Sequence, residues 1–205
     1  MINTVLFDID GTLLDTEMAN LGALQQMLLK HYNIKKSIPE LEFALGIPAH
    51  KIMAELNVPL AESVELWDAQ MPDFQHLVHV FDGINPTIDS LLAKKIELGV
   101  VTSENQEELE HLVYPYGIVQ KFPHVVTASD TTEHKPSPAP IIKALEYTGA
   151  HAENTIYIGD SIYDLQSAKA AGVKFGLAGW GAHDRGQFVE ADFKFTAPTE
   201  IETII

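Results

Sequence analysis

Short apolar runs, each closed by polar residues or glycine, recur along the chain at 4–9, 99–102, 124–128, 155–158, 174–178 and 192–195. They are rich in Val, Ile, Phe and Tyr, and those that are apolar almost throughout suit strands buried on both faces. Helical spacing fills most of the intervals. Ile88, Leu91, Leu92 and Ile96 form one stripe, which predicts a helix over 85–98 with Asn85 as its cap, Pro86 at its first position and Gly99 beyond its end. Ser137-Pro138 predicts the start of a second helix closed by Gly149, and Leu165, Ala168 and Ala171 predict a third closed by Gly172. Strands alternating with helices predict a parallel sheet with right-handed crossovers.

One interval breaks the alternation, because residues 10–98 are far more than a single crossover helix uses. From 17 to 79 the pattern is helical: Met18, Leu21, Leu24 and Leu28, then Ile52, Met53 and Leu56, then Val64 and Trp67. Pro39, Pro48, Pro59 and Pro72 punctuate it. The economical arrangement is an all-helical insertion over 16–79, hung from linkers near 13–16 and 81–83. It interrupts a core made of 1–15 and 80–205. The fold class expected is α/β, a Rossmann-like, doubly wound parallel sheet carrying an inserted all-α domain.

Composition narrows the choice of function. The 205 residues carry 13 basic and 29 acidic side chains, a formal charge of −16, with Arg185 the single arginine. Nucleic-acid backbones and anionic membrane surfaces are repelled by such a chain. The absence of cysteine excludes disulfides, thiolate metal sites and cysteine nucleophiles. No apolar run approaches the roughly 18 residues of a membrane helix, and Met1-Ile2-Asn3-Thr4 does not read as a signal peptide. A cytoplasmic protein is expected, with a compact two-domain monomer the simplest arrangement, since nothing like a heptad seam argues otherwise.

The candidate chemistry lies where the strands end. The first run closes in Asp8-Ile9-Asp10-Gly11-Thr12, the second in Thr102-Ser103, and the fourth in Gly159-Asp160-Ser161 with Asp164 one turn further on. Lys135 follows the third run in a loop rich in Pro and Thr. An open parallel sheet binds ligands beyond the carboxyl ends of its strands, so these groups converge on one crevice. Clustered carboxylates repel one another unless a cation holds them, and a hard divalent ion such as Mg²⁺ prefers oxygen ligands. A lysine and backbone amides beside such an ion suit a phosphate.

Asp8-Ile9-Asp10-Gly11-Thr12-Leu13, Thr102, Lys135-Pro136 and Gly159-Asp160-Ser161-Ile162-Tyr163-Asp164 resemble, in order, the four motifs of the haloacid-dehalogenase-like hydrolase superfamily. Asp15-Thr16 and Lys135-Pro136-Ser137-Pro138 are similar to its phosphoglycolate-phosphatase and phosphoglucomutase branch, which has a helical cap after the first motif. The resemblance implies that Asp8 is the nucleophile, forming an aspartyl-phosphate, and that Asp10 is the general acid and base. It implies Mg²⁺ on Asp8, the backbone carbonyl of Asp10 and Asp160, with Asp164 close by as a ligand or just behind the ligands. Thr102, Ser103 and Lys135 would hold the phosphoryl group.

Other activities of the superfamily fit less well. A dehalogenase has no need of an acid at position 10. A phosphonatase typically lacks the second aspartate and uses a cap lysine, for which Lys51 is present. A phosphomutase typically carries a histidine where this chain has Asn20. The expectation is therefore hydrolysis of a small phosphomonoester such as phosphoglycolate or a sugar phosphate. A mutase is the alternative, and a phosphoaspartate signalling or binding protein a more distant one. Specificity would come from the cap, with Gly46-Ile47-Pro48-Ala49-His50-Lys51 the candidate loop and His50 and Lys51 its candidate contacts.

Overall fold

A computed structural model describes residues 1–47, 49–183 and 185–205; Pro48, expected in the candidate specificity loop, lies outside them. The first half of the chain runs β1 (Thr4–Phe7), β2 (Leu14–Asp15), α1 (Glu17–Tyr32), α2 (Ile38–Leu41), α3 (Ala49–Leu56), α4 (Leu60–Asp68), α5 (Met71–Phe74) and β3 (His79–Val80). The second half runs α6 (Ile84–Ala93), β4 (Glu97–Val101), α7 (Gln106–Glu108), β5 (His124–Val126), α8 (Ala139–Thr148), β6 (Thr155–Gly159), α9 (Ile162–Ala171), β7 (Lys174–Ala178) and β8 (Phe193–Phe195). Two compact units result, 1–15 with 80–205, and 16–79.

The first unit is built on a six-stranded sheet in the order β5-β4-β1-β6-β7-β8. Every neighbouring pair is parallel. The fold is α/β and Rossmann-like, as the alternation predicts. All residues of β1 and β6 are buried, as expected for central strands covered on both faces. Leu6 and Tyr157 are partners in register and share a core with Ile141 and Ala144 of α8 and Leu165 and Ala168 of α9. Strand alternation sends Val5 and Phe7 to the opposite face, where Phe7 meets the ring of Phe122 edge-on, 5.7 Å between centroids.

The stripe expected as a helix over 85–98 is shorter. Helix α6 begins after Gly83, at φ 87°, and ends at Ala93, so Asn85 lies inside it rather than capping it. Lys95 adopts a left-handed φ of 60°, and Glu97 and Leu98 belong to β4, in register with Thr4 and Val5. Pairing with β1 wins over the helical period there because it buries Leu98 completely. The other two helices end as expected, on left-handed Gly149 and Gly172.

The second unit is helical. Leu21, Leu24, Met27 and Leu28 of α1 pack with Leu41, Ile52, Met53 and Val58. Met18, expected on the same stripe, is exposed. Trp67 Nε1 donates to the Asn20 carbonyl at 3.0 Å. No helix among the described residues is long and apolar enough to cross a membrane.

Leu6→Ala removes a fully buried side chain from the centre of the sheet. It is expected to cost about 2–5 kcal/mol, seen in a urea titration as a lower midpoint with an unchanged slope. An unchanged midpoint would contradict the packing described.

Candidate active site

The strand order reverses at β1, which has β4 on one side and β6 on the other. A crevice opens beyond the carboxyl ends of strands at such a switch point. Asp8 continues the ladder, its N–H donating to the Ile158 carbonyl at 2.9 Å. The chain then turns sharply. The Ile9 carbonyl accepts from the N–H groups of Thr12, Leu13 and Leu14 at 3.1, 2.8 and 2.9 Å. Gly11 makes the turn possible, with φ 70° and no room for a β-carbon, which would collide with the Asp160 carboxylate. Gly181 packs on the Gly11 carbonyl just as closely, and Trp180 Nε1 donates to the Thr12 carbonyl at 2.9 Å.

Lys135 joins the charged groups. Its Nζ lies 2.9 Å from Asp8 Oδ2 and 2.8 Å from Asp164 Oδ1, and 3.1 Å from the hydroxyl of Tyr157. That hydroxyl is itself 3.0 Å from both the Val101 carbonyl oxygen and Asp164 Oδ1. Ser161 caps α9 and donates to Asp164 Oδ2 through Oγ and N–H, at 2.6 and 3.0 Å. Asp160 Oδ1 accepts from Thr12 Oγ1 at 3.1 Å. One carboxylate oxygen each of Asp8, Asp160 and Asp164 lies within 4.8 Å of the other two.

The electrostatics follow from burial and crowding. Burial raises the Asp8 carboxyl to about 7, against the pull of Lys135 and with the help of Asp164. Burial, then Asp164 and Asp8, hold Asp160 well above the usual carboxylate range. Asp164 is equally buried, yet Lys135 and the Ser161 donors outweigh that burial and lower it. Lys135 is buried too, and its two aspartates overcome the desolvation and raise it.

These residues fit a hard divalent cation. Three oxygen donors are crowded together, and two of them are costly to ionise unless a positive charge joins them. Asp8 and Asp160 are the better ligands. Both oxygens of Asp164 are already taken by Lys135, Tyr157 and Ser161, which sets it behind the others. The side chain of Asp10 is not in this group and lies against the carboxyl of Glu104.

The remaining expected residues fall in different places. Thr102 is buried at the end of β4 and its Oγ1 accepts from the Glu104 N–H at 3.1 Å, leaving its O–H to donate elsewhere. Ser103, next to it, is exposed. His50 and Lys51 are exposed in the first turn of α3, in the helical unit. Sequence reasoning gave no role to Tyr157, Ser161 or Glu104. Only Ser161 carried a readable signal, the Ser-x-x-Asp capping spacing to Asp164.

Known proteins resemble this chain over most of its length. A family model described as haloacid dehalogenase-like hydrolase matches residues 5–178. A pyrophosphatase PpaX of Oceanobacillus iheyensis is 28% identical, over 89% of this chain and 86% of its own length. A phosphoglycolate phosphatase of Xylella fastidiosa is 29% identical, over 87% and 80%. Among solved structures, a subfamily IA hydrolase of the same superfamily from Geobacter sulfurreducens superposes with a TM-score of 0.81, at 26% identity and full coverage of both chains.

Two outcomes follow from the charge arrangement. A carboxyl raised from 3.8 to about 7 by folding favours the native state below pH 4 and loses that contribution as pH rises through 7. Asp8→Asn is therefore expected to stabilise the metal-free protein at pH 8 by on the order of 2 kcal/mol. The gain should vanish near pH 4 in thermal melts, and destabilisation at pH 8 would contradict it. Tyr157→Phe removes the hydroxyl that supports Lys135 and Asp164. It should cost roughly 1 kcal/mol of stability, and a melting temperature equal to wild type would contradict the contact.

Proposed function

The chain belongs to the haloacid dehalogenase-like hydrolase family, and from that membership and the site we propose that it is a Mg²⁺-dependent phosphatase acting on a small phosphorylated metabolite through an aspartyl-phosphate. The observation that carries the reading is the shared ammonium. Lys135 stands 2.9 Å from Asp8 and 2.8 Å from Asp164, in a crevice where Asp160 crowds the same carboxylates. Such a site holds an anionic phosphoryl group and a carboxylate nucleophile side by side, which neither charge would permit alone.

Asp8 attacks phosphorus, and the bond to the ester oxygen breaks as Asp10 gives that oxygen its proton. Water then attacks the phosphorus of the aspartyl-phosphate while Asp10 takes up a proton. The bond to Asp8 breaks, releasing phosphate and restoring the carboxylate. Thr102, Ser103 and Lys135 bind the phosphoryl oxygens. Asp8, Asp160 and the carbonyl of Asp10 would hold Mg²⁺, which when bound neutralises charge on the transferring group. Asp164 keeps Lys135 in place. The helical unit supplies the cap, in which His50 and Lys51 are the candidate substrate contacts. The reading takes the protein as a cytoplasmic monomer without nucleic-acid or membrane partners. The names of relatives, a pyrophosphatase and a phosphoglycolate phosphatase, support phosphoryl chemistry.

Phosphate release from p-nitrophenyl phosphate is expected with Mg²⁺ and not with EDTA. Asp8→Asn should lower kcat by about 10³-fold or more. Turnover that survives either EDTA or Asp8→Asn would overturn the reading.

A further inference from the structure

Glu104 is a carboxylate that the reaction above leaves unused. It follows Thr102 and Ser103 at the end of β4, and its backbone is tied on both sides. Its N–H donates to Thr102 Oγ1 at 3.1 Å, and its carbonyl accepts from the Ala128 N–H at 2.8 Å. The next residue, Asn105, caps α7, accepting from the N–H groups of Glu107 and Glu108 at 2.9 and 3.0 Å. Its own N–H donates to Glu108 Oε2 at 2.7 Å.

Held in this way, the Glu104 carboxyl lies within hydrogen-bonding reach of Asp10 and near enough to Asp8 to sense its charge. Its Oε2 is buried and has no hydrogen-bond donor among the described residues, a condition shared there only by Thr87 Oγ1. A buried acceptor left without a donor costs about 1–3 kcal/mol, which a ligand bringing the donor recovers.

We propose that Glu104 reads the leaving group of the substrate. Its carboxyl accepts a hydrogen bond from a hydroxyl or ammonium close to the ester oxygen. Phosphate esters of polyols and amino alcohols are thereby favoured over substrates whose leaving group carries a carboxylate or a second phosphate. The inference rests on the phosphatase reading, because it is Asp10's part in protonating the ester oxygen that sets the side. A group against Asp10 stands where the leaving group departs, across the phosphorus from Asp8. Burial, and then Asp10 beside it, hold that carboxyl well above the usual carboxylate range, and in either protonation state it offers lone pairs and no positive charge. Within the core unit Lys135 is already shared by Asp8 and Asp164, so a second anion on the leaving group would face the carboxyl oxygens of Asp10 and Glu104 there. Pyrophosphate and phosphoglycolate, for which relatives are named, both lose an anionic leaving group, and the inference sets this chain apart from them.

The test is kcat/KM in Mg²⁺ buffer for phosphoethanolamine, glycerol 1-phosphate, phosphoglycolate and pyrophosphate, with wild type, Glu104→Gln and Glu104→Lys. Wild type should prefer phosphoethanolamine or glycerol 1-phosphate over both anionic substrates by about tenfold or more. Glu104→Gln should lower the phosphoethanolamine-to-phosphoglycolate ratio by about fivefold or more, and Glu104→Lys should move it further in the same direction. Circular dichroism melts show whether each variant is folded. Should the lysine variant not fold, wild type and the near-isosteric glutamine carry the test. A wild type that prefers an anionic substrate, or a ratio that moves less than fivefold in the glutamine variant, overturns the role of Glu104 alone. No release from any of the four, nor from p-nitrophenyl phosphate, would overturn the phosphatase reading and this inference with it.

Discussion

Lys135 lies between two aspartates, and the end of the sheet is built around that contact. Three carboxylates meet in the crevice within 4.8 Å of one another, and an ammonium touches two of them at 2.8 and 2.9 Å. If all were ionised the group would carry three negative charges and one positive, a net of −2. The imbalance is expressed unevenly. Asp164, closest to the lysine and held by Ser161, is lowered, whereas Asp8 and Asp160 are raised by burial and then by the charge of Asp164. A divalent cation has the charge that the arrangement lacks, and its natural ligands are the two carboxylates that burial disfavours most.

The scaffold makes such crowding possible by fixing the backbone before the charges are considered. Central strands β1 and β6 are buried throughout, so Asp8 and Asp160 leave the sheet from neighbouring, rigid positions. The turn after Asp8 is clamped on two sides: Asp160 fills the space a side chain at Gly11 would need, and Gly181 presses on the Gly11 carbonyl. Capping does further work. The bonds that start α9 also saturate one oxygen of Asp164, and those around Asn105 set the path on which Glu104 lies.

The strands and the aspartates were legible in the sequence because each depends on local pattern. Apolar runs marked β1 and β6, and acids directly after buried strands marked Asp8 and Asp160. The boundary between α6 and β4 was less legible, since Ile96 continues the helical stripe of Ile88, Leu91 and Leu92. What ends the helix is Lys95 in a left-handed conformation and pairing with β1, which is tertiary information. Tyr157 reads as ordinary strand filling, and its hydroxyl gains meaning only from Lys135 and Asp164 reaching it from other loops. Glu104 carries no signal of its own, being one acid among 29. Its burial against Asp10 is a product of the assembled sheet edge.

The most direct measurement is a calorimetric titration of the protein with Mg²⁺ near pH 6, in two buffers of different ionisation enthalpy. Binding to carboxylates that folding has left partly protonated must expel protons. Saturable binding with the release of up to about two protons is expected, and binding is lost in Asp160→Asn. Binding without proton release near pH 6, or no binding at all, would contradict the view that a cation completes this site.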